Sequence, residues 1–155
     1  MPYAIPENIY GHRKRLNWLL AQVTKHDKIV EFGCGTGYMI ARPLLLAGYD
    51  ITGIDLDQAS ITYGQQIFQR EGLPTARLQA VDLAKLEFQP SVIIASEVLE
   101  HINDDTLETI FQLFHQKLTD DGQLLVTVPN GFGWSEMEGF LWFKTGLGDW
   151  VERLR

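Results

Sequence analysis

Cysteine is the first scarcity in this 155-residue chain, which carries one, Cys34. A single thiol excludes an intrachain disulfide and suits a reducing compartment. Basic charge is scarce too: 13 Lys and Arg stand against 20 Asp and Glu, for a net charge of −7. Nucleic-acid binders usually present a basic patch, so polyanionic partners are disfavoured. The local basic run Arg13-Lys14-Arg15 reads as the solvated face of a helix. No apolar run approaches the roughly 18 residues of a membrane span. The opening stretch MPYAIPENIYGHRKR lacks the charged-then-apolar pattern of a signal peptide. Together these point to a cytoplasmic protein. Repeats and low-complexity tracts are absent as well.

What is present fits one globular domain. Apolar residues make up 45% of the chain and charged residues 21%, enough to bury a core without staples. IPENIYGHRKRLNWLLAQVTKHD reads as an amphipathic helix with Ile9, Leu16, Leu19, Leu20 and Val23 on one stripe. KIVEFG is a short apolar strand stopped by glycine. YMIARPLLLAGYD reads as a helix ending near Gly48, weakened early by Pro43. DITGID is a second strand. Asp57 caps the helix that follows, and Gly72 stops it. TARLQAVD alternates like a strand, and SVIIASEVL begins as a buried one. NDDTLETIFQLFHQKLTDDG is the clearest helix, led by acids and striped by Leu107, Ile110, Phe111, Phe114 and Leu118. GQLLVTVP is a fifth strand. Strands alternating with helices demand a parallel sheet covered on both faces. Ligands in such sheets sit at the carboxyl ends of the strands.

Three glycines, Gly33, Gly35 and Gly37, fall at alternate positions in VEFGCGTGYMI, between a strand and a helix. Glycine lets the backbone approach a ligand, and a helix N-terminus offers unpaired N–H groups. The dinucleotide fingerprint needs a third small residue where this chain has Tyr38. The pattern is instead acid-x-G-x-G-x-G, with Glu31 as the acid.

VEFGCGTG resembles the first motif of the class I S-adenosylmethionine-dependent methyltransferases. GIDLD, AVDL, VIIASEVLEHI and GQLLVTVPN resemble their later segments in the same order, over Ile29 to Asn130. The resemblance implies a Rossmann-like, doubly wound α/β fold with strand order 3-2-1-4-5. It implies S-adenosylmethionine as cofactor and methyl transfer to O, N or C of a small-molecule or lipid-like acceptor. It also implies a donor site built from Glu31, Gly33, Cys34, Gly35, Asp55, Leu56, Asp82, Leu83, Ser96 and Glu97. The residue chemistry agrees. A carboxylate at Asp55 accepts from both ribose hydroxyls, and Asp82 accepts from an adenine amino group. Glu31 faces the donor's methionine end, whose ammonium is a cation; a pyrophosphate there would be repelled. Cys34 reads as a small turn filler. Two rival readings stay open: a non-catalytic domain that binds the donor, and a nicotinamide dehydrogenase.

Glu97, Glu100 and His101 form E-x-x-E-H, a spacing that holds a divalent metal in some O-methyltransferases and packs or caps in metal-free relatives. The expectation is no metal, with His101 the nearest candidate base and the catalytic residues otherwise unassigned. Tyr3, Tyr10, His12 and Trp134 are further candidates for an acceptor pocket. The chain divides into an N-terminal helix over 1–27, a donor-binding core over 28–130 and an aromatic segment over 131–155. That last segment holds Trp134, Trp142 and Trp150 and an S-x-x-E capping box at Ser135 and Glu138. It reads either as a lid over the acceptor or as packing against the sheet or a partner. The family's C-terminal hairpin is missing or truncated, since five strands precede Arg155. An uncovered sheet edge would favour a homodimer.

Overall fold

The computed structural model describes residues 11–129. The elements run α1 (His12–Gln22), β1 (Lys28–Phe32), α2 (Ala41–Leu46), β2 (Asp50–Asp55), α3 (Gln58–Arg70), β3 (Leu78–Ala80), β4 (Val92–Ser96), α4 (Asp104–Lys117) and β5 (Gln123–Thr127). All strand pairs are parallel, in the order β3-β2-β1-β4-β5. This is the expected order. β1 lies at the centre, with Ile29 beside Ile51 on one flank and Val92 on the other.

The strands' apolar runs split by parity, because successive side chains point to opposite faces. Ile29, Ile51, Val92 and Ile94 join one core layer with Leu19 of α1, Leu44 of α2 and Phe68 of α3. Val30, Ile54, Ile93 and Ala95 join the other with Leu83, Leu86 and Phe114 of α4. Both faces are therefore covered, which a parallel sheet requires. Phe114 meets Phe32 edge-on, with ring centroids 5.0 Å apart.

Three expected boundaries and one stripe position need correction. α1 starts at His12, because Gly11 takes a left-handed φ of 73° just before it. α2 starts only at Ala41, so Pro43 falls in its first turn, where a missing N–H costs nothing. The third strand keeps only Leu78–Ala80, because Thr75–Arg77 winds into a 3-10 turn. Phe111 falls outside the buried stripe, 44% exposed, and packs edge-on to Phe114. Other expectations hold. Asp57 caps α3 by accepting from the Ala59 and Ser60 amides, and Gly72 follows that helix at a φ of 70°. The Ile9 end of the first stripe and the 131–155 segment, with its capping box and tryptophans, lie outside the described residues.

α3 crosses close to the glycine-rich loop at Gly64. A Cβ built there would lie 2.2 Å from the Thr36 carbonyl oxygen. Alanine normally favours a helix interior over glycine by about 1 kcal/mol. Here the sign should reverse: Gly64→Ala should destabilise the fold by about 2 kcal/mol through overpacking, read from urea unfolding midpoints.

Candidate functional site

β1 and β2 end side by side, and their next residues build one wall of the site. The glycine loop leaves β1 with Gly33, Gly35 and Gly37 all at positive φ. A Cβ at Gly33 would lie 2.4 Å from a methyl of Val98, so only glycine lets this loop rest on the segment after β4. Cys34 donates its amide to the Ile54 carbonyl at 3.0 Å. Its buried thiol is pushed well above the usual range by desolvation, with Glu31 and Asp55 adding to the shift. That agrees with a packed turn residue and not with a nucleophile.

Asp55 binds two pieces of backbone at once. One carboxylate oxygen accepts from the Gly35 amide at 2.7 Å, and the other accepts from the Asp57 amide at 2.9 Å. It thus joins the glycine loop to the start of α3. Each oxygen keeps lone-pair capacity for a further donor. Leu56 follows, 78% exposed, as a lip beside it.

Glu31 is only 5% exposed, within the central strand. Its carboxyl accepts from the Ala41 amide at 2.8 Å and so caps α2 from inside the sheet. Desolvation pushes its pKa up to about 8; the Ala41 hydrogen bond and the Arg15 charge oppose this, and Asp55 adds to it. A cation placed beside this carboxyl would favour its ionised form and oppose the desolvation that raises its pKa.

Arg15 is the residue that sequence reasoning misplaced. Arg13 and Lys14 are solvated, as expected, but Arg15 turns inward. It pairs with Glu97 at 3.2 Å, and a second guanidinium nitrogen lies 3.3 Å from His12 Nδ1. Its Nε is buried and has no hydrogen-bond partner among the described residues. His12 is buried too, and burial followed by the Arg15 charge lowers its pKa. Glu97 has a φ of 54°, rare outside glycine, Asn and Asp. It is held there by its amide on the Thr127 carbonyl (2.9 Å) and by the Thr127 hydroxyl on its carboxylate (3.2 Å). Ser96 completes the knot through a hydroxyl contact with Thr127 at 2.7 Å. The missed signal was helical phase: position 15 lies three residues after His12 and four before Leu19, both buried.

Between these walls and α4 lies a cavity of about 500 Å³. Gly33, Asp55, Leu56, Asp82 and Leu83 line its sheet end. Asp82 is exposed at the rim and accepts from the Ala84 amide at 2.8 Å, capping a 3-10 turn over Leu83–Lys85. Leu83 is fully buried beneath it. The E-x-x-E-H residues do not converge. Glu97 is committed to Arg15 and Thr127, whereas His101 is 77% exposed and 4.0 Å from Glu100. Among the described residues, no three His, Cys, Asp or Glu side chains stand close enough to hold a metal. Nor is any described helix long and apolar enough to cross a membrane. His12 has its place in the Arg15 cluster; Tyr3, Tyr10 and Trp134 lie outside the described residues.

The sequence model of a family described as a methyltransferase domain matches residues 8–150. The chain belongs to that family. This methyltransferase domain is 27% identical over 112 residues to the ribosomal protein L11 methyltransferase of Shewanella piezotolerans, covering 72% of this chain and 37% of that protein. It is 27% identical over 146 residues to the ubiquinone biosynthesis O-methyltransferase of Rickettsia canadensis, covering 90% of this chain and 60% of that protein. A solved TehB-like SAM-dependent methyltransferase from Corynebacterium glutamicum matches with a TM-score of 0.64 and 28% identity, over 83% of this chain and 67% of that one. The methyltransferase domain spans 37% to 60% of the length of these two curated relatives.

The Glu31 carboxyl makes stability depend on pH in a known direction. Its folded pKa is raised, so its contribution is complete below about pH 4.5 and is lost as pH rises through about 8. His12, with a lowered pKa, contributes the opposite slope below its ordinary value of 6.5. The melting temperature of the ligand-free protein should therefore fall by on the order of 5 °C between about pH 7 and 8.5. Glu31→Gln, which keeps an acceptor for Ala41, should flatten that fall in a thermal-shift series.

Proposed function

We propose that this chain is the donor-binding core of an S-adenosylmethionine-dependent methyltransferase. It transfers a methyl group to O, N or C of a small-molecule or lipid-like acceptor in the cytoplasm. The observation that carries the reading is a buried acid, Glu31, beside a half-buried arginine, Arg15, whose buried Nε has no partner among the described residues. An amino acid is a zwitterion, and these two groups match its two charges. The methionine end of the donor would give its ammonium to the Glu31 side and its carboxylate to Arg15 Nε. Charge-assisted hydrogen bonds of this kind are about twice as strong as neutral ones.

The remaining assignments follow the chemistry of the groups. Asp55 takes the ribose hydroxyls with the lone pairs left over from Gly35 and Asp57. Asp82 takes the exocyclic amine of the base, with Leu56 and Leu83 as its apolar flanks. Gly33, Cys34 and Gly35 contribute backbone, and Ser96 and Glu97 shape the strand end beside Arg15. When bound, the donor supplies an electrophilic methyl on a sulfonium, with a neutral thioether as leaving group. The protein's share is orientation and exclusion of water. The names of the two curated relatives differ in acceptor, one a ribosomal protein and the other a ubiquinone precursor pathway. The net charge of −7 disfavours a phosphate-rich target and does not choose between these two.

Calorimetric titration tests the reading. The chain should bind S-adenosylmethionine and S-adenosylhomocysteine at micromolar Kd, and Asp55→Ala should weaken both at least about tenfold. Failure of both to bind a folded chain, or binding of NAD alone, would overturn it. Arg15→Leu separates the two ends of the ligand. It should cost S-adenosylhomocysteine about 30-fold in affinity while changing 5′-methylthioadenosine, which lacks the amino-acid end, by less than about threefold. Equal losses for both ligands would remove Arg15 from the recognition scheme.

A further inference from the structure

The cavity does not stop where the carboxylates do. Its sheet end carries Asp55 and Asp82, but its other end is walled by Ile102 and by Thr106, Thr109, Ile110 and Leu113 of α4. No charged side chain lies among those five residues. The hydroxyl of Thr106 is already spent on the side-chain oxygen of Asn103. α4 is loosely seated above this space: of its 14 residues only Phe114, one turn beyond Ile110, is buried. Ile110 and Leu113 are half-buried and turn apolar surface to a volume that no side chain among the described residues fills.

The annex also has a definite position relative to a bound base. The 3-10 turn over Leu83–Lys85 begins at Asp82 and packs against α4. Asp82 and the α4 residues line the same cavity, so a purine amine that reaches Asp82 would have the α4 wall within the same volume. An exocyclic amine has two N–H groups, and one is enough for Asp82. We infer that the nucleoside subsite is extended by an apolar annex under α4, which admits a hydrophobic substituent on the exocyclic nitrogen of the base. The ligand class is an S-adenosyl thioether or sulfonium carrying an N6-alkyl or N6-benzyl group. The inference rests on the donor reading above, because the base must first be held by Asp55 and Asp82.

N6-benzyl-S-adenosylhomocysteine, titrated beside S-adenosylhomocysteine, is the probe. On the unaltered chain the benzyl compound should bind within about tenfold of the parent. Leu113→Trp, which fills the annex, should weaken the benzyl compound at least about 30-fold and the parent by less than about threefold. Thr109→Phe offers the same obstruction from nearer the helix surface, and serves if the tryptophan variant does not fold. Parent binding with the benzyl compound more than about 100-fold weaker would overturn the annex and leave the donor reading intact. Equal loss of both compounds in the filled variants would also overturn it. Absence of parent binding would instead count against the donor reading itself.

Discussion

The carboxylate of Asp55 fixes the relation between the two strands on which the site is built. A glycine-rich loop has the least to hold it in place, since three positive-φ glycines carry no side chains to pack. Asp55 supplies what they lack, from a strand end that is itself locked in the sheet: one oxygen fixes the loop through Gly35, and the other fixes the first turn after β2 through Asp57. The Cys34 amide on the Ile54 carbonyl makes a parallel tie beside it. Loop, strand and helix start then move as one body. Pre-positioned groups of this kind do not have to be ordered again when a ligand arrives.

Charge is arranged with similar economy. Two acids, Glu31 and Glu97, stand near one arginine, Arg15. Of the three only Glu31 is fully buried, and there desolvation favours the uncharged form while the Arg15 charge opposes it. The acid meanwhile caps α2 by accepting from the Ala41 amide. A group that serves as a structural cap while holding a displaceable proton can change charge without losing its place.

The two-sided core and the position of the helices were legible from hydrophobic period, caps and glycine stops, whereas the sheet order came from the family resemblance. Those signals are local, and the elements they mark are local too. Asp57 and Gly72 were read correctly because a cap needs only the three residues beside it. β3 was overestimated because alternation in TARLQAVD is shared by the 3-10 turn that precedes it; that turn brings Arg77 to Asp50 across the sheet. Arg15 was misread for a different reason. Two solvated neighbours, Arg13 and Lys14, made a basic run, and a run is judged by its composition. Helical phase places position 15 on the inward side, but the partner that suits a charge there, Glu97, lies in no local window.

That pairing has a consequence for assembly. Arg15 precedes the sheet in the chain, and Glu97 and Thr127 come after its central strands. The three meet only when α1, β4 and β5 are all docked on a sheet whose central strand is β1. Contacts of such wide sequence separation close late, after the loops between them have given up their entropy. The corner where Arg15, Glu97 and Thr127 meet is thus among the later parts of the fold to close. A partly folded chain can hold the glycine loop and Asp55 together before that corner exists. The integrity of that corner is a report on the whole tertiary structure and not on a fragment of it.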